Sequence, residues 1–324
     1  MARDRTQGQL AIHNEATLPP QEIIDLFKIT FNDELYQSDE RFEQLLKEIK
    51  SVKSDLYNRD YIEAFSSDPK RVAYCCRWSP PRATSYGSLL SHLEPVLNVI
   101  QCHDGADQNV LCVGGGAGSE FVSIASMFTT SRELTSKYHV KEIDGDDMVK
   151  KSTLNLHLVD IANWRTIIKR LNDSIDEKWL YNNESDFFKV KFTENDILKM
   201  NETELDLPNL NLITLLFTTN ELFSEHKAES IRFFQKMNRF CSSGCYLLIA
   251  ESAGSFSHIT VGTKKFPIQF LIDTILVGKK GQEDDGAWEI VDQNDSIWYR
   301  GDLKLDYPIK LENMRFFYRL YKKK

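Results

Sequence analysis

The 324-residue sequence has no apolar run long enough to cross a bilayer. Its opening residues, Met1-Ala2-Arg3-Asp4-Arg5-Thr6-Gln7-Gly8, lack the apolar core of a secretory signal. Cysteine is sparse, at 6 residues, and only Cys241 and Cys245 stand at a ligand-like spacing. No second pair completes a zinc site, so reduced thiols in a cytoplasmic or nuclear protein are expected. Basic side chains are outnumbered, 40 against 48, for a net charge of −8. That balance argues against indiscriminate nucleic-acid binding and leaves room for a local basic face. Lys264-Lys265, Lys279-Lys280 and Arg315, Arg319 with Lys322-Lys323-Lys324 are the candidates, each also readable as ordinary solvated surface. There is no internal repeat. The acidic run Asp144-Gly145-Asp146-Asp147 lacks both the spacing and the closing glutamate of an EF-hand.

What is present is a globular composition, 41% hydrophobic and 27% charged. Residues 1–16 are polar and are expected to be disordered. From Leu18 a helical pattern begins at Pro19 and Pro20, with Ile23, Ile24, Phe27 and Phe31 on one face. A second helix carries Phe42, Leu45, Leu46, Ile49 and Val52, and Tyr57 to Phe65 adds a turn or two. Pro80 and Pro81 predict a break, with a new helix from about Arg82 to Ile100. Around that break, either Trp78 and Tyr86 pack the helix on a sheet while the arginines face water, or the segment is a lid over a cofactor with Arg77 or Arg82 near a carboxylate.

The centre of the chain is richer. Val110-Leu111-Cys112-Val113 runs into glycines at 114, 116 and 118, then a helical pattern from Phe121 to Phe128. Strand, glycine turn and helix together make a nucleotide-cofactor corner, where the backbone folds tightly and a ligand approaches closely. A polar insert follows at 129–152. Leu154 to Asp160 reads as a strand ending in an acid, placed to accept hydrogen bonds from ribose hydroxyls, with Ile161 next to it. His157 within it reads as a packed histidine. Phe187 to Phe192 is a third strand, after which Asp196 can hold an adenine amino group or cap its own turn, with Ile197 against the ring. Leu210 to Phe217 is continuously apolar, as a central parallel strand should be. Cys245 to Glu251 is a fifth strand, following a helix through Ile231, Phe234 and Met237. A helix over Phe266–Val277, short strands at Trp288–Val291 and Ser296–Tyr299, and an aromatic run from Met314 to Tyr321 predict an antiparallel finish.

A dinucleotide site wants glycine at the sixth position of the turn, and Ser119 stands there. Gly114-x-Gly116-x-Gly118 is similar instead to methyltransferase motif I, except that Cys112 occupies the place often held by an acid. Arg77-Trp78-Ser79-Pro80-x-Arg82-Ala83-x-x-Tyr86, Leu215-x-Phe217-Thr218-x-Asn220-Glu221-Leu222-Phe223, Pro267-x-Gln269-Phe270-Leu271-x-Asp273 and Asp295-Ser296-x-Trp298 carry a narrower likeness. From about residue 70 onward the chain resembles the fungal large-subunit (25S) ribosomal RNA uridine-N3 methyltransferases.

The resemblance implies an α/β, Rossmann-like class I methyltransferase fold. Its sheet would be seven-stranded and mostly parallel with an antiparallel last strand, and a helical segment would precede it. Residues 17–73 would be an accessory helical region and 74–324 the methyltransferase domain. It implies S-adenosylmethionine as cofactor, held by Gly114, Gly116, Gly118, Asp160, Ile161, Asp196, Ile197 and Arg82. It also implies ribosomal RNA as substrate and pre-ribosomal particles as partners in the cytoplasm and nucleus, with neither membrane nor metal involved.

Methylating a uracil N3 requires in-line alignment and loss of the imide proton. Asn220 and Glu221 follow the fourth strand, where open α/β sheets bind ligands. Asn220 is the candidate to bond the base edge and Glu221 to accept the proton; otherwise they hold the loop and cap the next helix. Trp78, Phe223 and Phe256 are candidates to stack on a flipped base. A methyltransferase acting on a protein or small molecule, and a non-catalytic cofactor-binding scaffold, remain the alternative readings.

Overall fold

A computed structural model describes residues 8–132, 152–180, 184–254, 258–261, 264–279, 281 and 285–324. Six helices come first: α1 (Pro20–Thr30), α2 (Asn32–Tyr36), α3 (Asp39–Tyr57), α4 (Tyr61–Ala64), α5 (Asp68–His92) and α6 (Glu94–Ile100). Ser38, Asp60 and Ser67 cap α3, α4 and α5 by accepting backbone N–H bonds in their first turns. Strands and helices then alternate: β1 (Gln108–Val113), α7 (Ser119–Thr130), β2 (Leu154–Asp160), α8 (Arg165–Lys178), β3 (Phe188–Glu194), β4 (Leu212–Leu216), α9 (Thr219–Glu225), α10 (Lys227–Phe240) and β5 (Tyr246–Ser252). A separate hairpin, β6 (His258–Val261) with β7 (Lys264–Pro267), precedes α11 (Ile268–Leu276), and β8 (Trp288–Tyr299) and β9 (Met314–Lys323) complete the order.

The main sheet runs β3-β2-β1-β4-β5-β9-β8. The β1–β5 neighbours pair in parallel, whereas β9 is antiparallel to both β5 and β8. One strand is therefore reversed, and β9 is the last in chain order, as expected. Every residue of β4 is buried, because helices cover both faces of a parallel sheet. Period-two alternation divides the core. Val110 and Cys112 face the layer of α1, α3 and α5–α8, while Leu111 and Val113 face α10 and α11.

Several expectations need correction. Pro80 and Pro81 do not break the chain; both lie inside α5. Pro80 has no N–H to offer the carbonyl of Cys76, and the hydroxyl of Tyr307 donates to that oxygen instead at 2.7 Å. A tertiary contact replaces the missing helical bond. The helix ends at His92 and α6 is a separate piece. α5 runs across residues 73 and 74, and residues on both sides share one core.

Residues 1–7 lie outside the described residues, but 8–16 are anchored, with the Ser88 and Thr130 hydroxyls donating to the carbonyls of Ala11 and Ala16. Leu10 is buried, its N–H donates to the carbonyl of Trp298 at 2.8 Å, and Trp298 N–H donates to Gly8 at 2.9 Å. This segment pairs with the Trp298 end of β8's free edge, an edge that would otherwise invite pairing with another chain. Of the polar insert, Thr129 and Thr130 belong to α7 and Arg132 is buried; residues 133–151, including the acidic run, lie outside the described residues. The two short strands near 290 are one strand, β8, with register shifts at Ile290/Asp292 and Asn294/Ile297. Phe266 and Pro267 belong to β7 and not to the following helix.

Candidate functional site

The carboxyl ends of β1, β2 and β4 open on a cavity lined by Gly114, Gly118, Asp160, Ile161, Asp196, Ile197, Arg82 and Glu221. Gly116 sits within the same turn, its N–H on Asp160. Eight of the residues named from sequence thus converge on one cleft. Asn220 does not line it and opens instead on a neighbouring cavity, with Tyr61 in the wall of both.

The glycine turn is held from three sides. Asp160 accepts from Gly116 N–H at 3.0 Å with one oxygen and from Ala162 N–H at 3.1 Å with the other. Ser79 of α5 donates to the carbonyl of Ala117 at 2.7 Å. Thr218 donates to the carbonyl of Val113 at 3.0 Å. The reason for Gly116 differs from the sequence reading: a Cβ there would stand 2.0 Å from the Trp164 ring, so the indole and no ligand fills that space. Gly116→Ala should therefore overpack the turn and cost about 1–3 kcal/mol in urea unfolding; wild-type stability would show that the turn has room to move.

Asp160 is raised in pKa by burial, against the pull of its backbone donors. Asp196 closes its own turn by accepting from Leu198 N–H at 3.0 Å, and Lys199 stands 3.1 Å from its carboxylate. Asp196 thus caps its own turn and also lines the cavity. Ile161 is 64% exposed and Ile197 is 6% exposed; both are apolar linings of the same end.

At the other end, Arg82 donates to the hydroxyl of Tyr74, and its guanidinium lies 5.5 Å from the Tyr74 and Phe217 rings. Arg77 faces the other way. It pairs with Glu312 and donates to the carbonyl of Lys310 at 3.0 Å. Glu221 is pushed up to about 8, first by burial and then by Asp160 and Glu251, with Arg82 opposing. Such a poise, in a cleft beside a cation, is characteristic of functional carboxyls.

Four further residues shape the site, of which only Tyr86 stands out as a side chain from sequence. Glu120, in the first turn of α7, lies against Cys112 and Thr214 and is pushed up to about 7 by burial. It lines the cavity, is 3% exposed, and its Oε1 has no hydrogen-bond partner among the described residues. The carboxyl absent at Cys112 is thus supplied in space from eight residues further along the chain. Glu251, at the end of β5, accepts from the Thr219 hydroxyl at 3.2 Å and from Asn220 N–H at 3.1 Å, fixing the start of α9. Phe217 has φ of +61°, a left-handed conformation uncommon for a bulky residue, and turns the chain between β4 and α9. Tyr86 stacks on the Phe217 ring at 6.1 Å and forms part of the cavity wall.

The other described candidates do not line the cofactor cavity. His157 bonds Thr193 through Nε2 at 2.8 Å and is lowered to about 4 by burial. Phe223 is 3% exposed, and Trp78 stacks on Tyr74 at 5.1 Å; both still reach the second cavity. Phe256 lies outside the described residues. Arg319 is not surface: it is 3% exposed and pairs with Asp295 at 2.5 Å.

The arrangement offers acids to a diol and an amine at a glycine turn. It offers Arg82 to a carboxylate and apolar walls to a flat ring. An adenosyl group carrying an amino acid presents that set, with the unpartnered Oε1 of Glu120 and the Arg82 guanidinium both in the cavity wall for the zwitterionic end.

Comparison with known proteins agrees. A family model described as "Putative SAM-dependent methyltransferase" matches residues 27–322. The 25S rRNA (uridine(2843)-N(3))-methyltransferase of Saccharomyces cerevisiae is 58% identical over 98% of this chain and 89% of its own length. Among solved structures, the N-methyltransferase NodS of Bradyrhizobium japonicum WM9 with S-adenosyl-l-homocysteine has a TM-score of 0.38 at 16% identity, covering 85% of this chain and 98% of its own. An O-methyltransferase family protein of Burkholderia thailandensis has a TM-score of 0.43 at 10% identity, covering 90% and 76%. The chain belongs to the S-adenosylmethionine-dependent methyltransferases that the family model describes, and S-adenosylmethionine is its methyl donor.

Proposed function

We propose that the chain methylates N3 of a uridine in large-subunit ribosomal RNA. The carrying observation is the pair at the start of α9: Glu221 lines the cofactor cavity and Asn220, its neighbour, lines the adjoining one. A base entering from the second cavity meets a hydrogen-bonding amide and a proton acceptor on one short helix. The name borne by the yeast relative supports this substrate.

S-adenosylmethionine supplies an electrophilic methyl on a sulfonium. The residues of this chain do the rest. Asn220 bonds the uracil edge and aligns N3, and its backbone is held by Glu251. Glu221 takes the N3 proton onto its carboxylate as the N3–CH3 bond forms and the S–CH3 bond breaks. Arg82 and Glu120 hold the carboxylate and ammonium of the donor. Glu120 also removes the main ground for the scaffold reading, because the acid that Cys112 lacks is present in space.

The test is nucleoside mass spectrometry of ribosomal RNA from cells with and without the protein, expecting loss of 3-methyluridine on deletion. An unchanged nucleoside profile, with methyl transfer to a protein or small molecule, would overturn the RNA reading. Pre-ribosomal particles are the proposed presentation of the RNA, in cytoplasm and nucleus. Equal turnover on protein-free RNA would refute the need for a particle, and fractionation would test the location.

A further inference from the structure

We propose that the cavity beside the cofactor site is a groove for single-stranded RNA, with its phosphate grip supplied by the helices that precede the sheet. The inference rests on the RNA reading above and assigns to α3 and the α3–α4 turn a task that no feature of the cofactor site requires.

The cavity encloses about 1190 Å³, several times what one base needs. Its lining holds five cationic residues, Lys50, Lys53, Arg59, Arg77 and Lys227, and one carboxylate, Glu312. Glu312 is paired with Arg77, so the surplus rests on Lys50, Lys53 and Arg59. This concentration of positive charge stands on a chain whose net charge is −8. It lies where the cofactor cavity opens, since Tyr61 borders both. Lys50, Lys53 and Arg59 are exposed, and no acidic group among the described residues stands within ion-pair distance of any of them. On the adjoining α5, Lys70 is matched to Asp55 of α3 at 3.0 Å and to Glu63 of α4 at 2.5 Å. Local pairing was therefore available, and the three cations at the rim do not use it.

Arg59 adds a second observation. It has φ of +59°, just beyond the end of α3, where glycine or asparagine is the easy residue. A strained arginine there directs a guanidinium into the rim that a glycine would not supply.

The aromatic lining selects nucleic acid over an acidic peptide. Tyr57 is 87% exposed and Trp78 and Tyr61 stand deeper in the same wall. Rings interleaved with cations are how single strands are held, by stacking bases and neutralising phosphates. An acidic peptide needs the cations but not the rings. Asn220 in the floor then receives whichever base the strand turns inward.

The experiment is fluorescence anisotropy of a short labelled uridine oligomer on the full chain, titrated across salt. Removing three phosphate contacts by Lys50→Gln, Lys53→Gln and Arg59→Gln together should lower the slope of log K against log salt by about 2, or about 100-fold in affinity at 0.1 M salt. Each single variant should lower it by about 0.7. Melting temperature and S-adenosylhomocysteine affinity should stay at wild-type values, because the three side chains are exposed and lie outside the cofactor cavity. Unchanged slopes would overturn the groove. Displacement of the oligomer by a glutamate peptide as readily as by unlabelled RNA would overturn it too, in favour of a protein partner. Failure of the function reading looks different: the slopes would fall as stated while ribosomal RNA gained no 3-methyluridine.

Discussion

Asp160→Ala should bind S-adenosylhomocysteine at least about 100-fold more weakly than wild type, a loss of about 2.7 kcal/mol. The carboxylate does two jobs. It receives Gly116 and Ala162 N–H groups and so shapes the turn, and it stands in the cavity wall where a ribose diol belongs. Hydrogen bonds to a charged group contribute about 1.5–3 kcal/mol each, and alanine removes both the ligand's and the turn's. Asp160→Asn keeps an acceptor and removes the charge, so its loss should be nearer about tenfold. Calorimetric titration of both variants, with adenosine as a second probe, separates the jobs. If the ribose is held here, adenosine weakens in step with the full ligand. Wild-type affinity in the alanine variant would mean that β2 does not reach the cofactor.

Glu221→Gln should lower kcat by about 100- to 10,000-fold, the usual worth of a positioned base, while leaving cofactor affinity within about twofold. The pH profile is the sharper reading. Only the ionised carboxylate can accept a proton, and Glu221 is held at about 8 by burial and by its acidic neighbours. Wild-type kcat/KM should climb with pH and level near 8. The glutamine variant should keep climbing above that point, following ionisation of the substrate itself. Stability gives an independent check with a definite sign. A carboxyl raised from 4.5 to about 8 keeps its proton in the folded state over a range where the unfolded chain has lost it. Its contribution to stability therefore falls as pH rises from 4.5 and reaches its floor above 8. Glutamine removes that dependence, so the variant should melt higher than wild type at pH 8–9, and the gap should shrink toward pH 5. A slow variant with an unchanged pH profile would mean that Glu221 only shapes the helix.

The cofactor half of the site was legible because its signals are local. The turn at 114–118, Asp160 and Asp196 each follow directly on a strand, and strand carboxyl ends gather at one place in a parallel sheet. The apolar run to Leu216 likewise declared a central strand. What stayed hidden depends on contacts between distant segments. Nothing near Pro80 announces that Tyr307 will satisfy Cys76. Glu120 reads as an ordinary first-turn acid until β1 and β4 bring Cys112 and Thr214 beneath it. The basic rim is drawn from positions 50, 53, 59 and 227, none of which forms a cluster along the chain, whereas Arg319, in the most conspicuous cluster, is buried against Asp295. Gly116 reads from sequence as a close approach to a ligand, whereas its bare face admits Trp164.

The order of strands has a consequence for synthesis. A ribosome delivers the helices and β1–β5 first, yet β9 lies inside the sheet, between β5 and β8, and residues 8–10 lean on Trp298 of β8. Until residue 323 has emerged, β5 is an open edge with apolar faces and the opening segment has nothing to lie against. The nascent chain must therefore wait, nearly complete, with its sheet unfinished. A premature stop before Met314 should leave β5 without its antiparallel neighbour and β8 without its only strand partner among the described residues, exposing apolar faces that invite aggregation.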